Sequence, residues 1–237
     1  MLKPPDPPSL GVLMLDTRFP RPLGDVGNPA SFDFPVRYAV VAGASPQRVV
    51  RGPADDLLQA FIEAGRALIA QGCIGITTTC GFLVRFQGAL GLALPVPVMT
   101  SSLLHIAAIE ANLPSGKRAG VVTIAAANLD AACLEAAGAR PDTPLEGMPA
   151  DSEFARRILN NDATLDYAQA ERDVVAAAQR LVARCPAVGT LVLECTNMPP
   201  YRKAVQHATG LPVVDAQTAI KAFWRSLSGA QRGRLKD

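Results

Sequence analysis

Two stretches decide how this chain folds: Ile74-Gly75-Ile76-Thr77-Thr78-Thr79-Cys80 and Val188-Gly189-Thr190-Leu191-Val192-Leu193-Glu194-Cys195. Each is a short apolar, β-prone run that ends on a cysteine, and each leads into a helix-prone segment. Short apolar runs bounded by turns read as strands buried on both faces, as in a parallel sheet. A thiol at the carboxyl end of such a strand stands where open α/β sheets hold their ligands. Two such thiols could stand on opposite sides of one substrate carbon. That is the layout for moving a proton from one face of a carbon to the other.

The sequence around the two runs repeats in the same order. Gly11 to Leu15 opens one copy and Gly120 to Ile124 the other. Ala64-Gly-Arg-Ala-Leu-Ile-Ala-Gln-Gly-Cys-Ile-Gly75 precedes the first thiol, and Ala178-Gln-Arg-Leu-Val-Ala-Arg-Cys-Pro-Ala-Val-Gly189 precedes the second. Gly91-Leu-Ala-Leu-Pro-Val-Pro-Val98 and Gly210-Leu-Pro-Val-Val214 follow them. The period is too long for a solenoid, so the chain reads as a duplicated domain. The expected fold is α/β: two pseudosymmetric domains, each a mostly parallel sheet flanked by helices, with the active site in the cleft between them. The expected domains are 1–99 with 215–237, carrying Cys80, and 100–214, carrying Cys195.

Strands are expected at 10–15, 36–42, 73–79, 95–99, 118–124, 188–194 and 211–214. Helices are expected at 54–71, 82–91, 101–113, 127–137, 151–160, 166–184, 200–209 and 216–227. In 54–71 the residues Leu57, Leu58, Phe61, Ile62, Leu68 and Ile69 fall on one stripe. The loop 16–35 is long for a compact domain and reads either as a lid or as an excursion held by its prolines.

Composition excludes several classes. The 237 residues are 49% hydrophobic and 5% aromatic, with a net charge of +2. The basic residues are scattered, and Arg232, Arg234 and Lys236 read as a tail, so no nucleic-acid partner is expected. No apolar run is long enough to span a bilayer, and the proline-rich Met1–Ser9 has no signal-peptide core. The five cysteines, an odd number, fit a reducing compartment and a cytoplasmic location. No cysteine pair has zinc spacing, and His105 and His207 have no ligand partner nearby in sequence, so no metal site is expected. The expected partner is a small-molecule substrate, with a homodimer as a possible assembly.

Cys80 precedes Gly81-Phe82. A helix starting there would aim free N–H groups at the sulfur and lower its pKa; the alternative is a buried structural thiol. Thr196 and Asn197 put a hydroxyl and an amide beside Cys195, suited to orienting a carboxylate, or else they cap the next helix. Asp16 and Thr17 end the first strand on the Cys80 edge and could hold substrate or form a plain turn. Glu194 is a carboxylate at the end of an apolar strand, where alternation would turn it away from Cys195. Thr100, Ser101, Ser102, Gln217 and Thr218 open helices after the matched Pro-Val strands and are secondary ligand candidates. Cys73, Cys133 and Cys185 read as structural.

These motifs resemble those of the aspartate/glutamate racemase superfamily, over nearly the whole chain. Cys80 matches the first cysteine of that family, and Cys195 with Thr196 the second. Asp16-Thr17 is similar to the Asp-Ser pair that ends the first strand in glutamate racemases. The resemblance implies one catalytic cysteine per domain, no cofactor, pyridoxal included, and racemisation or epimerisation of an amino acid or similar small acid by two-base proton transfer. Amino-acid racemases usually carry Asn-Thr after the first cysteine, where Gly81-Phe82 stands here. Gly81-Phe82 and Met198 lean toward hydantoin racemases. The presence of Cys80 argues against arylmalonate decarboxylases, which keep only the second cysteine. A maleate-isomerase-like covalent thiol addition is the runner-up activity. A ligand-binding protein without turnover is the alternative from another class.

Overall fold

The computed structural model describes residues 7–234 apart from Pro53. Met1–Asp6 of the proline-rich start and Lys236 of the basic tail lie outside the described residues. The strands are β1 (Ser9–Leu15), β2 (Val36–Val41), β3 (Cys73–Thr78), β4 (Val98–Met99), β5 (Arg118–Thr123), β6 (Leu145–Gly147), β7 (Val188–Leu193) and β8 (Val213–Val214). The helices are α1 (Pro46–Arg51), α2 (Leu58–Ala70), α3 (Gln87–Ala93), α4 (Ile106–Ala111), α5 (Ala131–Ala136), α6 (Glu153–Leu159), α7 (Tyr167–Arg184), α8 (Arg202–Thr209) and α9 (Ala216–Arg234).

The strands form two four-stranded sheets in the orders β2-β1-β3-β4 and β6-β5-β7-β8, and every pairing is parallel. The duplication extends to an irregularity. Register slips at Ser9/Leu10 between β1 and β3, and at Arg118/Ala119 between β5 and β7. Gly11 and Gly120 are also equivalent. A Cβ on Gly11 would stand 2.6 Å from Ile76 Cδ1 and 3.1 Å from Leu68 Cδ1 of α2, and one on Gly120 would stand 2.8 Å from Val188 and 3.1 Å from Leu181 of α7. In each half the missing side chain lets one helix lie close on the central strand.

Helix formation follows the apolar stripes. On α2, Phe61, Gly65 and Leu68 are buried, and burying a residue such as Leu68 contributes about 2 kcal/mol. On α7 the buried stripe is Ala170, Val174, Ala177, Ala178 and Leu181, and Asp166 caps the start by accepting from the Gln169 N–H. One hydrophobic core runs through both halves, including Leu13, Phe61, Val121 and Leu191. A second, smaller core joins Leu10 and Val12 of β1 to Ala216, Ala219, Ile220 and Leu227 of α9. The last helix therefore covers the first sheet, and it runs on to Arg234, past its expected end at 227.

Other elements also differ from expectation. β6 is only three residues long and half-buried, too short for a periodicity to register. α1 is a six-residue helix begun by the Ser45 cap and Pro46. The segment after Cys80 starts as a 3-10 helix, Gly81–Phe86, before α3.

Candidate active site

β3 and β7 stop at Thr78 and Leu193, and the chain leaves each through one residue before the cysteine. The backbone matches in both: Thr79 N–H donates to Leu13 O at 3.0 Å and Glu194 N–H to Val122 O at 2.9 Å. Cys80 and Cys195 thus stand at equivalent ends of two sheets. Both line one cavity, with Leu15, Phe19, Pro46, Val50, Thr79, Gly81, Phe82, Ile124, Ile158, Leu159, Glu194, Thr196 and Asn197. It encloses about 340 Å³ of atom-free space, its open mouth included. None of these lining residues is Lys, Arg or His.

The halves are stitched together at the thiols. Thr196 Oγ1 donates to Thr79 O at 2.6 Å, and Ser102 Oγ donates to Leu193 O at 2.9 Å. Neither Thr196 nor Asn197 caps a helix: a 3-10 turn, Pro199–Tyr201, intervenes before α8.

The surroundings of the two sulfurs differ. Backbone N–H groups of Phe82 and Leu83 point at Cys80, and the Arg85 charge favours its thiolate, but burial and then Glu194 outweigh them and push the thiol up to about 12. The lowered pKa expected from a helix start is therefore corrected. Two N–H groups at a short 3-10 turn do not offset removal of the sulfur from water. Cys195 is also raised, by burial first and Glu194 second, with one opposing N–H, from Asn197. Its S–H donates to Asn197 Oδ1 at 3.4 Å, a contact that holds the proton on sulfur.

Asn197 is fixed from across the molecule. Its Nδ2 donates to Asp25 Oδ2 at 2.7 Å, while Asp25 Oδ1 accepts from Arg21 NH1 at 2.8 Å and from Gly27 N–H at 2.7 Å. Asp25 is 1% exposed and lies in the 16–35 loop. The loop is an ordered excursion: Phe19, Val26 and Ser31 are buried, and Tyr38 Oη, Gln217 Nε2 and Val26 N–H each tie it to the body.

Glu194 also lines the cavity. β7 has ended at Leu193, so the strand alternation that would turn Glu194 away no longer applies. Oε2 accepts from Thr123 Oγ1 at 2.8 Å and the carboxyl also meets the Ile124 N–H, while Oε1 is buried without a partner. Burial raises its pKa to about 7. A Cβ on Gly81 would stand 2.2 Å from Glu194 Oε1, so only glycine fits there.

Of the residues expected at the site, Cys80, Gly81, Phe82, Cys195, Thr196 and Asn197 come together. Asp16 and Thr17 do not line the cavity: Asp16 is exposed, and the Thr17 hydroxyl accepts from Arg21 NH2 at 2.7 Å. Thr100, Ser101, Ser102, Gln217 and Thr218 bind backbone or side chains of neighbouring elements. Cys73, Cys133 and Cys185 lie outside the cavity. Asp25 was missed in sequence, where Gly24-Asp25-Val26-Gly27 reads as a turn.

The fold of this chain, two parallel sheets flanked by helices, is of the aspartate/glutamate racemase-like kind. Its backbone is similar to a mutant of arylmalonate decarboxylase with an added cysteine (TM-score 0.62, 17% identity, 94% of each chain). It is also similar to allantoin racemase from Klebsiella pneumoniae (TM-score 0.62, 16%, 95% of this chain and 89% of that one). A third likeness is to glutamate racemase from Francisella tularensis (TM-score 0.61, 15%, 95% and 82%). No family model matches the sequence. By sequence it is 32% identical over 231 residues to dimethylsulfoniopropionate lyase 7 of Emiliania huxleyi (strain CCMP1516), across 93% of this chain and 67% of that protein. It is 30% identical over 243 residues to the dimethylsulfoniopropionate lyase of Durusdinium sp. clade D, across 97% and 78%. The chain belongs to the dimethylsulfoniopropionate lyase family. Among the described residues, no helix is long and apolar enough to cross a membrane.

Proposed function

We propose that this protein is a lyase that eliminates dimethyl sulfide from dimethylsulfoniopropionate, with Cys80 as the base. The observation that carries the reading is a buried cavity that holds two thiols and no cationic side chain. Burying a net charge in such a place is costly. Dimethylsulfoniopropionate has one carboxylate and one sulfonium, so it is net neutral and brings its own cation. A dicarboxylate or an acidic amino acid would carry net negative charge into the same cavity, which weighs against the acidic racemase and maleate-type readings.

The chemistry needs one strong base beside the carbon next to the carboxylate. Cys80 is the better candidate, because two backbone N–H groups and the Arg85 charge favour its thiolate, whereas Asn197 Oδ1 keeps Cys195 protonated. The sulfonium charge, once bound, opposes the desolvation that holds both thiols up. Cys80 thiolate takes the proton from that carbon. The C–H electron pair becomes the new carbon–carbon double bond, and the pair of the breaking carbon–sulfur bond leaves with dimethyl sulfide. Acrylate and a Cys80 thiol remain. The Cys195 thiol serves as a hydrogen-bond donor to charge developing on the carboxylate.

The expected measurement is dimethyl sulfide in the headspace above protein and substrate, followed by gas chromatography. No release above that of the Cys80→Ser variant would overturn the proposal. A racemase or epimerase acting by two-base transfer is the second reading, favoured by the supply of one thiol from each half. It would return deuterium from D2O to recovered substrate with no dimethyl sulfide.

A further inference from the structure

Glu194 is the one buried carboxyl in the cavity wall, and the elimination just described gives it no part. Its side chain is 1% exposed. One edge of the carboxyl is engaged by Thr123 Oγ1 and the Ile124 N–H, while Oε1 faces Gly81 without a partner. The other charged and titratable groups on the packed elements do not contact this carboxyl among the described residues. Cys80 and Arg85 lie on the 3-10 turn, and Arg85 NH2 meets Cys133 Sγ at 3.6 Å. Arg21 and Asp25 on the 16–35 loop bind each other. Arg48 on α1 binds Asp56, and Arg51 faces an outer groove beyond Ile124. On α6, Arg156 and Arg157 pair with Glu153. Cys195 is its chain neighbour. No cation touches the Glu194 carboxyl among the described residues.

A buried carboxyl without a counter-ion favours its protonated form, and its burial raises the pKa to about 7. A protonated carboxyl is a donor, and a donor with no acceptor is costly. The wall that carries it also lacks the arginine or lysine that ordinarily receives a carboxylate ligand. We propose that Glu194 is a substrate-binding residue: a neutral carboxyl whose Oε1–H donates to the ligand's carboxylate and so fixes that group between the two thiols. Gly81 is then the clearance that lets a carboxyl from the second half reach into the first. This rests on the reading of the ligand as a carboxylate.

The test uses sodium propionate, the carbon skeleton without the sulfonium and, with its net charge, a weaker ligand than the zwitterion, titrated calorimetrically at millimolar concentration into the full chain from pH 6 to pH 9. Both thiols stay protonated across this range, and burial lowers the His105 pKa from its ordinary value. Propionate affinity should fall about tenfold per pH unit above about pH 7. Glu194→Gln, which keeps shape and an N–H donor, should bind within a few-fold of wild type at pH 6 and show no fall. Glu194→Ala, checked for folding by thermal melting, should lose at least about tenfold at pH 6. A flat or absent wild-type response, or a Glu194→Gln profile that falls like wild type, would overturn the inference. Dimethyl sulfide release is scored separately. Release with flat propionate binding sinks the role of Glu194 alone, and pH-dependent binding without release sinks the lyase reading alone.

Discussion

The two halves end their central strands on the same backbone and on different chemistry. Thr79 and Glu194 occupy equivalent positions, each donating its N–H to the neighbouring strand. Thr79 turns its hydroxyl onto Leu15 N–H at 3.0 Å and is spent on the fold. Glu194 leaves one oxygen buried and unpaired against Gly81. The thiols that follow diverge in the same sense: Cys80 faces backbone donors, and Cys195 donates its S–H to an amide oxygen. Duplication determines where two thiols stand, and their neighbours determine what each does. A two-base racemase needs two thiols of interchangeable duty, whereas an elimination needs one base and one donor. The unequal surroundings fit the second.

The strongest way to break this comparison is to remove each thiol in turn. Cys80→Ser should lower turnover about 10³- to 10⁴-fold, the upper part of the general-base range, while Cys195→Ser, which keeps an O–H donor, should lose only about 10- to 100-fold, less than a whole oxyanion donor. Steady-state release of dimethyl sulfide measures both, and equal losses would mean that the roles are symmetric after all.

The carboxyl itself offers a pH test. Its native pKa, about 7, is above the ordinary 4.5, so the folded state holds the extra proton in that window. Stability is fully present below about pH 4.5 and is lost as pH rises through about 7, by roughly 3 kcal/mol at about 1.36 kcal/mol per unit. Thermal melts should show wild type losing this stability and Glu194→Gln losing much less of it, whereas a shared slope would place its origin elsewhere.

Gly81→Ala sharpens the contact between the halves. The added methyl would meet Glu194 Oε1 at 2.2 Å and Glu194 O at 2.5 Å, for a cost of about 1–3 kcal/mol, read by urea denaturation. A neutral effect would mean that the strand ends give way easily. The smallest effect is expected at Cys133→Ala, which should cost about 1 kcal/mol and leave turnover intact. Loss of turnover in the folded variant would make Arg85, its neighbour at 3.6 Å, part of the site.

The fold was legible because its signals are local. Val188–Leu193 and Cys73–Thr78 are apolar runs bounded by turns, and the matched glycines Gly11 and Gly120 sit in plain order. Leu145–Gly147 escaped because three half-buried residues after Arg140-Pro-Asp-Thr-Pro144 carry no periodicity. The thiols were legible for the same reason as the strands that end on them. Asp25 was not, because its role exists only in a pairing that spans 172 residues of chain. Glu194 was visible as an oddity but was turned the wrong way, since two-residue alternation was extended one step beyond the strand. The thiol pKa is not legible in the same way, because a helix start is a sequence feature, whereas burial of both sulfurs is a property of the assembled halves.

The return of α9 to the first sheet has a consequence for synthesis. The second sheet is continuous from Arg118 to Val214, so it can close as soon as that stretch has left the ribosome. The first sheet cannot: Leu10 and Val12 wait for Ala219, Ile220 and Leu227, and Gly75 for Phe223. The half made first is therefore expected to finish last, with one face of β1 uncovered while nearly the whole chain emerges. A released chain truncated after Asp215 should resist protease in the second half and be cut in the first, and equal protection of both halves would refute this order.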